Sequence, residues 1–395
     1  MPAKDCNIGI KGIGVCSSRF KAGTIRSVAK LRLKPSCPRC AARGKSLRLK
    51  QRFERKLQHE SWGEKLHFFT INVPKYHCRR CGKYFRQSIP GVAPYQRSSE
   101  RLQKQVARMH KLGLSKKDAG VVFGRSHSTV EKYYRRFNFL LAQERKGKLC
   151  PKVLGIDEHF FNKRSGYVTT MVDLKSHRVF DLLKGRSAKS VERALLRLKG
   201  RERVQVVVMD LSSTYRSIVK QFFPNAMIVA DRFHVVRLIN LQLMKVWKRL
   251  DERGRKNRAL VSLIRRNCEN LSDKQKHNLA RYFDDNPALG MCYKQLKALQ
   301  RLLSFKGMNR KTVKRKLIPK LLSFITLLEQ TPFEELLTLA QTLKSWIEPI
   351  ARMWRFRKTN SITEGLHNKM ELIQRRAYGF HSFENYRIRV IALCG

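Results

Sequence analysis

Two aspartates close apolar, strand-like runs, Val153-Leu-Gly-Ile-Asp157 and Val204-Gln-Val-Val-Val-Met-Asp210. A third acid, Glu364, opens a helix-like run that continues to Glu371. Carboxylates are scarce here: 29 Asp and Glu stand against 85 Lys and Arg, a formal net charge of +56. A chain this basic binds a polyanion. Acids kept at strand ends in such a chain are suited to holding metal against that polyanion. Cleaving and rejoining phosphodiesters needs an activated oxygen nucleophile and a stabilised leaving oxygen, and two divalent ions ~3.5–4 Å apart supply both. Mg²⁺ (or Mn²⁺) takes carboxylate oxygens and keeps several waters. About three carboxylates from different elements are therefore required, and Asp157, Asp210 and Glu364 meet that description. Glu364, Asn368 and Glu371 also share one helix face by spacing.

Each acid has a plainer reading beside the chemical one. Asp157 would cap a loop, with Glu158 next to it as an alternative ligand. Asp210 would cap a helix beginning at Ser212 or Ser213. Glu364 would be a first-turn acid favoured by the helix dipole. Asp173 and Asp181 are expected on the surface. Asp231-Arg-Phe-His234 directly follows an apolar run, so Asp231 and His234 would orient a water, a metal ligand or a scissile phosphate. The plainer reading there is a helix N-cap with a partly buried histidine. No nucleophile-elbow pattern supports a Ser-His-Asp hydrolase.

The elements that must position these groups follow from periodicity. Residues 153–157, 167–173 and 178–183 read as three strands joined by short turns, an antiparallel meander. A helix from Ser187 to Leu198, an almost wholly apolar central strand at 204–209, a helix from Ser212 stopped by Pro224, and a strand at 226–230 complete the order β-β-β-α-β-α-β. That is the order of a ribonuclease-H-like domain, with acids at the ends of its first and fourth strands. From about Val235 to Trp346 the pattern is helical, with Leu296, Leu299, Leu302 and Leu303 at helical spacing. Thr331-Pro-Phe-Glu334 reads as a capping box. A basic stretch at 352–358 precedes the Glu364 helix. Trp346 and Trp354 are expected in the core rather than against a base.

Upstream, Cys37-Pro-Arg-Cys40 and Cys78-Arg-Arg-Cys81 form two CxxC pairs, and Gly82 suits the tight turn of a metal knuckle. Four thiolates from such pairs converge on one structural zinc ion, with His67 or His77 as possible replacements for one of them. The spacer contains a strand at 66–73 that is expected to end at Pro74. Residues 95–148 read as helices. A short helix at 115–123, a turn at Gly124-Arg-Ser126 and a helix opened by a capping box at Ser128-Thr-Val-Glu131 make a helix-turn-helix. Val130, Tyr133, Tyr134 and Phe137 fall on one face. Arg125, His127, Ser128, Lys132, Arg135 and Arg136 are its candidate DNA contacts. The plainer reading is a helical hairpin with a solvated basic face.

Taken together, the expected class is mixed α+β: a ribonuclease-H-like core with a large helical insertion, preceded by a zinc-binding domain and a helix-turn-helix domain. The expected boundaries are 1–93 for the zinc domain and 94–148 for the helix-turn-helix. The core would occupy 152–240 and 346–395, with the insertion at 241–345. No apolar run of membrane-spanning length and no signal-peptide pattern is seen, so a cytoplasmic, nucleic-acid-facing protein with no membrane partner is expected.

These blocks closely resemble the ISL-three family of insertion-sequence transposases over nearly the whole chain. The resemblance rests on the Cys37/Cys40/Cys78/Cys81 knuckles, Gly155-Ile-Asp157-Glu-His-Phe, Val208-Met-Asp210 and Ala230-Asp-Arg-Phe-His234. It also rests on Asn360-Ser-Ile-Thr-Glu364-Gly-Leu-His-Asn-Lys and on Arg375-Arg-Ala-Tyr-Gly-Phe380 with Phe383. It implies a DDE transposase with Asp157, Asp210 and Glu364 as the metal triad and Asp231/His234 as an accessory Asp-x-x-His motif. It further implies an all-helical insertion before the glutamate and N-terminal parts that bind terminal inverted repeats. The partners would be double-stranded DNA, at transposon ends and target, and further copies of the chain in a homodimer or higher oligomer. Two other readings stay open: a regulator derived from a transposase that binds without cutting, and a junction-specific nuclease.

Overall fold

The computed structural model describes residues 8–143, 149–266, 268–356, 361–377 and 379–395. It divides into two compact units, Met1–Glu144 and Arg145–Gly395.

In the first unit, β1 (Ile13–Lys21), β2 (Thr24–Leu31), β3 (Leu47–Trp62) and β4 (Lys65–Cys78) form a sheet of order β1-β2-β4-β3, with β5 (Tyr84–Arg86) added to β4. Side chains alternate across a strand, and Ile25, Ser27 and Ala29 of β2 are buried with His67, Phe69, Ile71 and Val73 of β4. That face packs on Ile8, Ile10, Leu57 and Ile89. The strand expected at 66–73 covers only the first part of β4, ending at Pro74. The strand in fact runs through Pro74, which lies opposite Arg52 and accepts a hydrogen bond from the Gln87 amide at 3.0 Å. Its carbonyl still has a partner, so the absent N–H does not end the strand.

Three helices follow: α1 (Glu100–Leu112), α2 (Lys116–Phe123) and α3 (His127–Gln143). Ser99 and Ser115 cap the first two. Gly124, at φ +56°, closes α2, and Leu102, Val106, Ala119, Phe123, Val130 and Tyr133 form the core between them. The expected capping box at Ser128 is not formed. The helix begins at His127, so Ser128 already lies in its first turn, and it is the Ser126 hydroxyl that accepts from the Thr129 amide at 3.3 Å. Glu131 instead pairs with Lys116 and Arg135, at 3.4 and 2.8 Å.

The second unit opens with β6 (Val153–Asn162), β7 (Gly166–Asp173) and β8 (Arg178–Lys184), then α4 (Ala188–Leu195), β9 (Val206–Met209), α5 (Ser213–Phe222) and β10 (Met227–Ala230). The strands make one sheet of order β10-β9-β6-β7-β8. β6, β7 and β8 are antiparallel neighbours, while β9 runs parallel to both β6 and β10. All four residues of β9 are buried, as a strand covered on both faces requires.

Helices fill the rest: α6 (Arg232–Leu250), α7 (Glu252–Lys256), α8 (Arg258–Arg265), α9 (Asp273–Asp285), α10 (Pro287–Ser304), α11 (Arg310–Thr312), α12 (Ile318–Glu329), α13 (Glu334–Ser345), α14 (Ile347–Arg355), α15 (Ser361–Arg376) and α16 (Phe383–Cys394). A π-helical turn, Val313–Leu317, joins α11 to α12. α6 runs unbroken across residues 240 and 241, where the insertion was expected to begin.

Two local expectations are corrected. Thr331 does not cap α13: its hydroxyl donates to the Leu328 carbonyl at 2.8 Å, and Phe333 occupies the N-cap position. Asp181 is not a free surface acid, since its carboxylate accepts from Arg387 Nε at 2.7 Å and Nη2 at 3.0 Å, tying α16 to β8. Asp173 does lie in its turn, accepting from the Lys175 and Ser176 amides. Trp346 and Trp354 are buried as expected, and the Trp354 indole N–H donates to the Leu302 carbonyl. Part of the basic stretch at 352–358 lies outside the described residues. No helix among the described residues is long and apolar enough to cross a membrane.

Candidate active site and metal centre

The pairing of β6 with β9 runs from Val153↔Val206 to Ile156↔Met209 and stops there. Asp157 and Asp210 are the next residue on each strand, so the register makes them neighbours at the centre of the sheet. Asp210 follows the end of β9, as read from the sequence. Asp157 does not end its strand: β6 continues to Asn162 because β7 keeps pairing with it, Asp157 lying opposite Thr170. Asp210 is half-buried and accepts a hydrogen bond from the Ser212 amide at 3.2 Å. Burial raises its pKa; His234 pulls it down and the charges of Asp157 and Glu158 push it further up, to about 6. The Ser212 hydroxyl, accepting from the Tyr215 amide, is the cap of α5.

The Asp231 amide donates to the Met209 carbonyl at 2.7 Å. The Asp231 side chain is 2% exposed and caps α6 by accepting from the Phe233 amide at 3.2 Å. One turn later His234 brings Nε2 to 3.5 Å from Asp231 and 3.6 Å from Asp157. The two readings of this segment are thus compatible: Asp231 is a helix cap and also a neighbour of His234. Burial works against protonation of His234, but the hydrogen bond and charge of Asp157, with Asp231 and Asp210, outweigh it and raise its pKa.

Glu364 is exposed in the first turn of α15, and His367 stands one turn further along. His367 was not among the residues singled out by sequence. Its Nε2 lies 3.2 Å from the Thr170 hydroxyl and its Nδ1 3.9 Å from Asp157. Burial lowers its pKa despite Asp157 and Glu371 nearby. Its i+3 spacing from Glu364 was the signal available. Glu371 is exposed and paired with Arg375 at 3.1 Å, and Asn368 is exposed.

An open cleft of about 160 Å³ is lined by Asp157, Glu158, Asp231, Phe233, His234, Arg237, Glu364 and His367. Arg237, on the next turn of α6, was also missed. Glu158 is held by Arg186 at 3.2 Å. Asp210 is not among the lining residues. Asp157, Asp210 and Glu364 do not gather as a trio with donor atoms within 4.8 Å; among the described residues only Cys37, Cys40, Cys78 and Cys81 form such a group. Even so, the donor set around the cleft, the carboxylate oxygens of Asp157, Glu158, Asp231 and Glu364, is the chemistry that a hard divalent cation suits.

The four cysteines fit zinc more directly. The Sγ atoms of Cys37 and Cys81, and of Cys40 and Cys78, are 3.5 Å apart. A tetrahedron of thiolates at ~2.3 Å from zinc has edges of about that length. Both knuckles turn alike: the Ala41 amide donates to the Cys37 carbonyl and the Gly82 amide to that of Cys78, with φ of 55° and 71°. Burial disfavours the Cys37 thiolate, but the amides of Arg39 and Cys40 and the neighbouring thiols outweigh it and lower its pKa to about 6. Neither histidine joins the group. His67 is buried against Ser27 at 2.9 Å, and His77 packs on Tyr84 with ring centroids 4.5 Å apart.

The candidate DNA-contacting residues cluster at the start and outer face of α3. His127, Ser128 and Lys132 are exposed, as are Arg135, paired with Glu131, and Arg136, which donates to Gln103 at 3.0 Å. Arg125 is half-buried and donates to the Arg97 carbonyl at 3.3 Å. Val130, Tyr133 and Tyr134 face inward, with Phe137 at the margin.

Residues 154–390, more than half of the chain, match the family model for the ISL3 DDE transposases, described as "Transposase". The chain is also similar to the transposase for insertion sequence element IS1001 of Bordetella parapertussis, 25% identical over 340 residues that cover 82% of this chain and 80% of that protein. Asp157, Asp210, Asp231, His234 and Glu364 all fall within the matched region. The chain belongs to the ISL3 family of DDE transposases.

Proposed function

We propose that this chain binds the terminal inverted repeats of an insertion sequence and catalyses metal-dependent cleavage and strand transfer of DNA at its ends and at a target. The observation that carries the reading is the β6–β9 register, which sets Asp157 beside Asp210 while α15 brings Glu364 to the cleft that Asp157 lines. The sheet order β10-β9-β6-β7-β8, with its antiparallel meander and parallel remainder, supports a ribonuclease-H-like core.

Asp157, Asp210 and Glu364 would hold two Mg²⁺ or Mn²⁺ ions. Such ions, when bound, supply activation of the attacking oxygen and stabilisation of the leaving one. The protein's own groups do the rest. His234, gripped by Asp157 and Asp231, presents a ring able to carry positive charge to a phosphate oxygen, and Asp231 fixes its orientation through the α6 cap. Arg237 adds a fixed cation on the same side of the cleft. In the other unit, the zinc held by Cys37, Cys40, Cys78 and Cys81 would stiffen the end of the β3–β4 hairpin. α2, its three-residue turn and α3 would act as a helix-turn-helix, reading the repeats with Arg125, His127, Ser128, Lys132, Arg135 and Arg136. On this reading the protein works in the bacterial cytoplasm, at the nucleoid, as a homodimer or higher oligomer on DNA.

The test is cleavage of repeat-bearing DNA in Mg²⁺ by the full chain and by Asp157→Ala, Asp210→Ala and Glu364→Ala. Each variant is expected to lose at least ~10³-fold in rate while binding repeat DNA like the parent. Cutting by all three variants would remove the acids from the mechanism. A wild-type chain that binds but never cuts would point to a regulator, and preference for branched over repeat-bearing DNA to a junction nuclease.

A further inference from the structure

Between Asp285 and Glu329 the chain contains no acid at all, the longest such interval in the second unit. Within it, Arg310, Lys311, Lys314, Arg315, Lys316 and Lys320 lie on one continuous helical stretch made of α11, the π-helical turn and α12. All six are exposed, and none has a carboxylate within 4.0 Å among the described residues.

Two features set this stretch apart from an ordinary solvated face. The first is its charge order. Its cations occupy the first half, and its only acid, Glu329, is the last residue of α12. A helix is stabilised by the reverse arrangement, acids at the start and bases at the end. The sequence therefore works against the helix here instead of supporting it. The second is the π-helical turn. Val313 and Leu317 are both buried, and the residues between them, Lys314, Arg315 and Lys316, all point outward as three consecutive cations. Such turns are rare and are frequent at functional sites.

The loop just before this stretch is hydrogen-bonded to α6 and α14. Arg232, which follows Asp231 at the start of α6, donates through Nη2 to the Phe305 carbonyl at 2.6 Å. The Met308 amide donates to the Trp354 carbonyl at 2.9 Å. The loop leading into the six cations is thereby fixed to the element that carries Asp231 and His234.

We infer that residues 310–320 form a second DNA-binding surface, one that holds the phosphate backbone of duplex DNA running out of the cleft, without reading its sequence. This rests on the reading of the cleft as the active site. Duplex DNA is the favoured partner because it presents closely spaced phosphates to a run of unpaired cations and because the loop before the stretch is tied to α6, whose Phe233, His234 and Arg237 line a cleft that would act on DNA.

The test uses the full chain with Lys314, Arg315 and Lys316 all changed to Ala. Binding to a duplex of random sequence lacking the inverted repeats is measured across a series of NaCl concentrations, with no divalent ion added. A matched control changes Arg253, Arg255 and Lys256 of α7 to Ala, removing the same charge beside Asp251 and Glu252. The first variant is expected to bind several-fold more weakly, with a salt slope shallower by about 2–3, and to melt at the parent's temperature. The control is expected to change little. An unchanged slope in the first variant, or an equal change in the control, overturns the proposal. So does a variant that loses binding to anionic phospholipid vesicles while keeping the duplex slope. Because this assay reads binding without cleavage, its failure leaves the acid-triad test standing, and the reverse also holds.

Discussion

The Thr170 hydroxyl lies 3.2 Å from Nε2 of His367, and Thr170 is the cross-strand neighbour of Asp157. One hydrogen bond therefore ties α15, which carries Glu364, to the strand position opposite the first aspartate. Groups that orient metal-binding side chains from behind typically affect metal affinity 10–100-fold. Thr170→Val keeps the volume of this buried side chain and removes the bond. We expect it to weaken Mn²⁺ binding roughly 10-fold, read by electron paramagnetic resonance, with a matching rise in the Mn²⁺ needed for cleavage. Repeat binding should not change. Mn²⁺ affinity equal to the parent's would show that the contact does not position Glu364.

The cysteine cluster makes a claim about stoichiometry and folding. Freshly purified protein should contain about one zinc per chain by elemental analysis. Cys78→Ser, which removes a buried thiol, should lose most of that zinc and lower the melting temperature of the N-terminal unit. Repeat binding should fall with it, since metal binding and folding are coupled. A metal-free protein with full repeat binding would contradict this.

His67 carries a pH prediction in the same unit. Burial, and then the nearby His59, lower its pKa from 6.5 to about 4. Above pH 6.5 it is neutral whether the chain is folded or not. As pH falls below 6.5 the unfolded chain takes up a proton that the folded chain refuses until about pH 4, so stability is lost across that window. The difference amounts to on the order of 3 kcal/mol at the acid end. His67→Gln, able to keep a bond to Ser27, should flatten the acid limb of a urea-denaturation series between pH 6.5 and 4. A limb as steep as the parent's would show that His67 is not its source.

Gly120 is required by its neighbours. A Cβ there would stand 2.7 Å from the Arg125 carbonyl oxygen, in the turn between α2 and α3. Alanine favours helix over glycine by roughly 1 kcal/mol, so a purely local view expects Gly120→Ala to stabilise. We expect the contact to win and the variant to lose ~1–3 kcal/mol, measured by chemical denaturation, with weaker repeat binding. A gain in stability would show that the turn can yield.

The sequence disclosed the second unit better than the first, for physical reasons. Strands covered on both faces, such as Val206-Val-Val-Met209, are apolar throughout and bounded by turn residues. Five of the residues now around the site were visible because their types are rare in so basic a chain. β1, β2 and β3 were missed because their open face is packed with Arg, Lys, Gln and Ser, which hides the alternation that Ile25, Ser27 and Ala29 keep on the other. Asp157 was read as a strand end because its segment stops being apolar there, although the strand continues through polar residues paired to β7. His367 was overlooked because its partner, Thr170, is 197 residues away, and nothing local marks such a contact. Thr331 and Ser128 show the opposite failure: local capping patterns that tertiary packing did not use.

The clasp between Arg387 and Asp181 spans 206 residues of sequence, and the Asn162 side-chain bond to the Phe380 carbonyl spans 218. Synthesis proceeds from the N-terminus, so the sheet bearing Asp157 and Asp210 leaves the ribosome long before α15 and α16 exist. Met1–Glu144 forms its own compact unit and is complete before that sheet is made, whereas Glu364 arrives only with α15. On the proposed function, the parts that would bind the repeats are therefore synthesised before the carboxylate site can be completed.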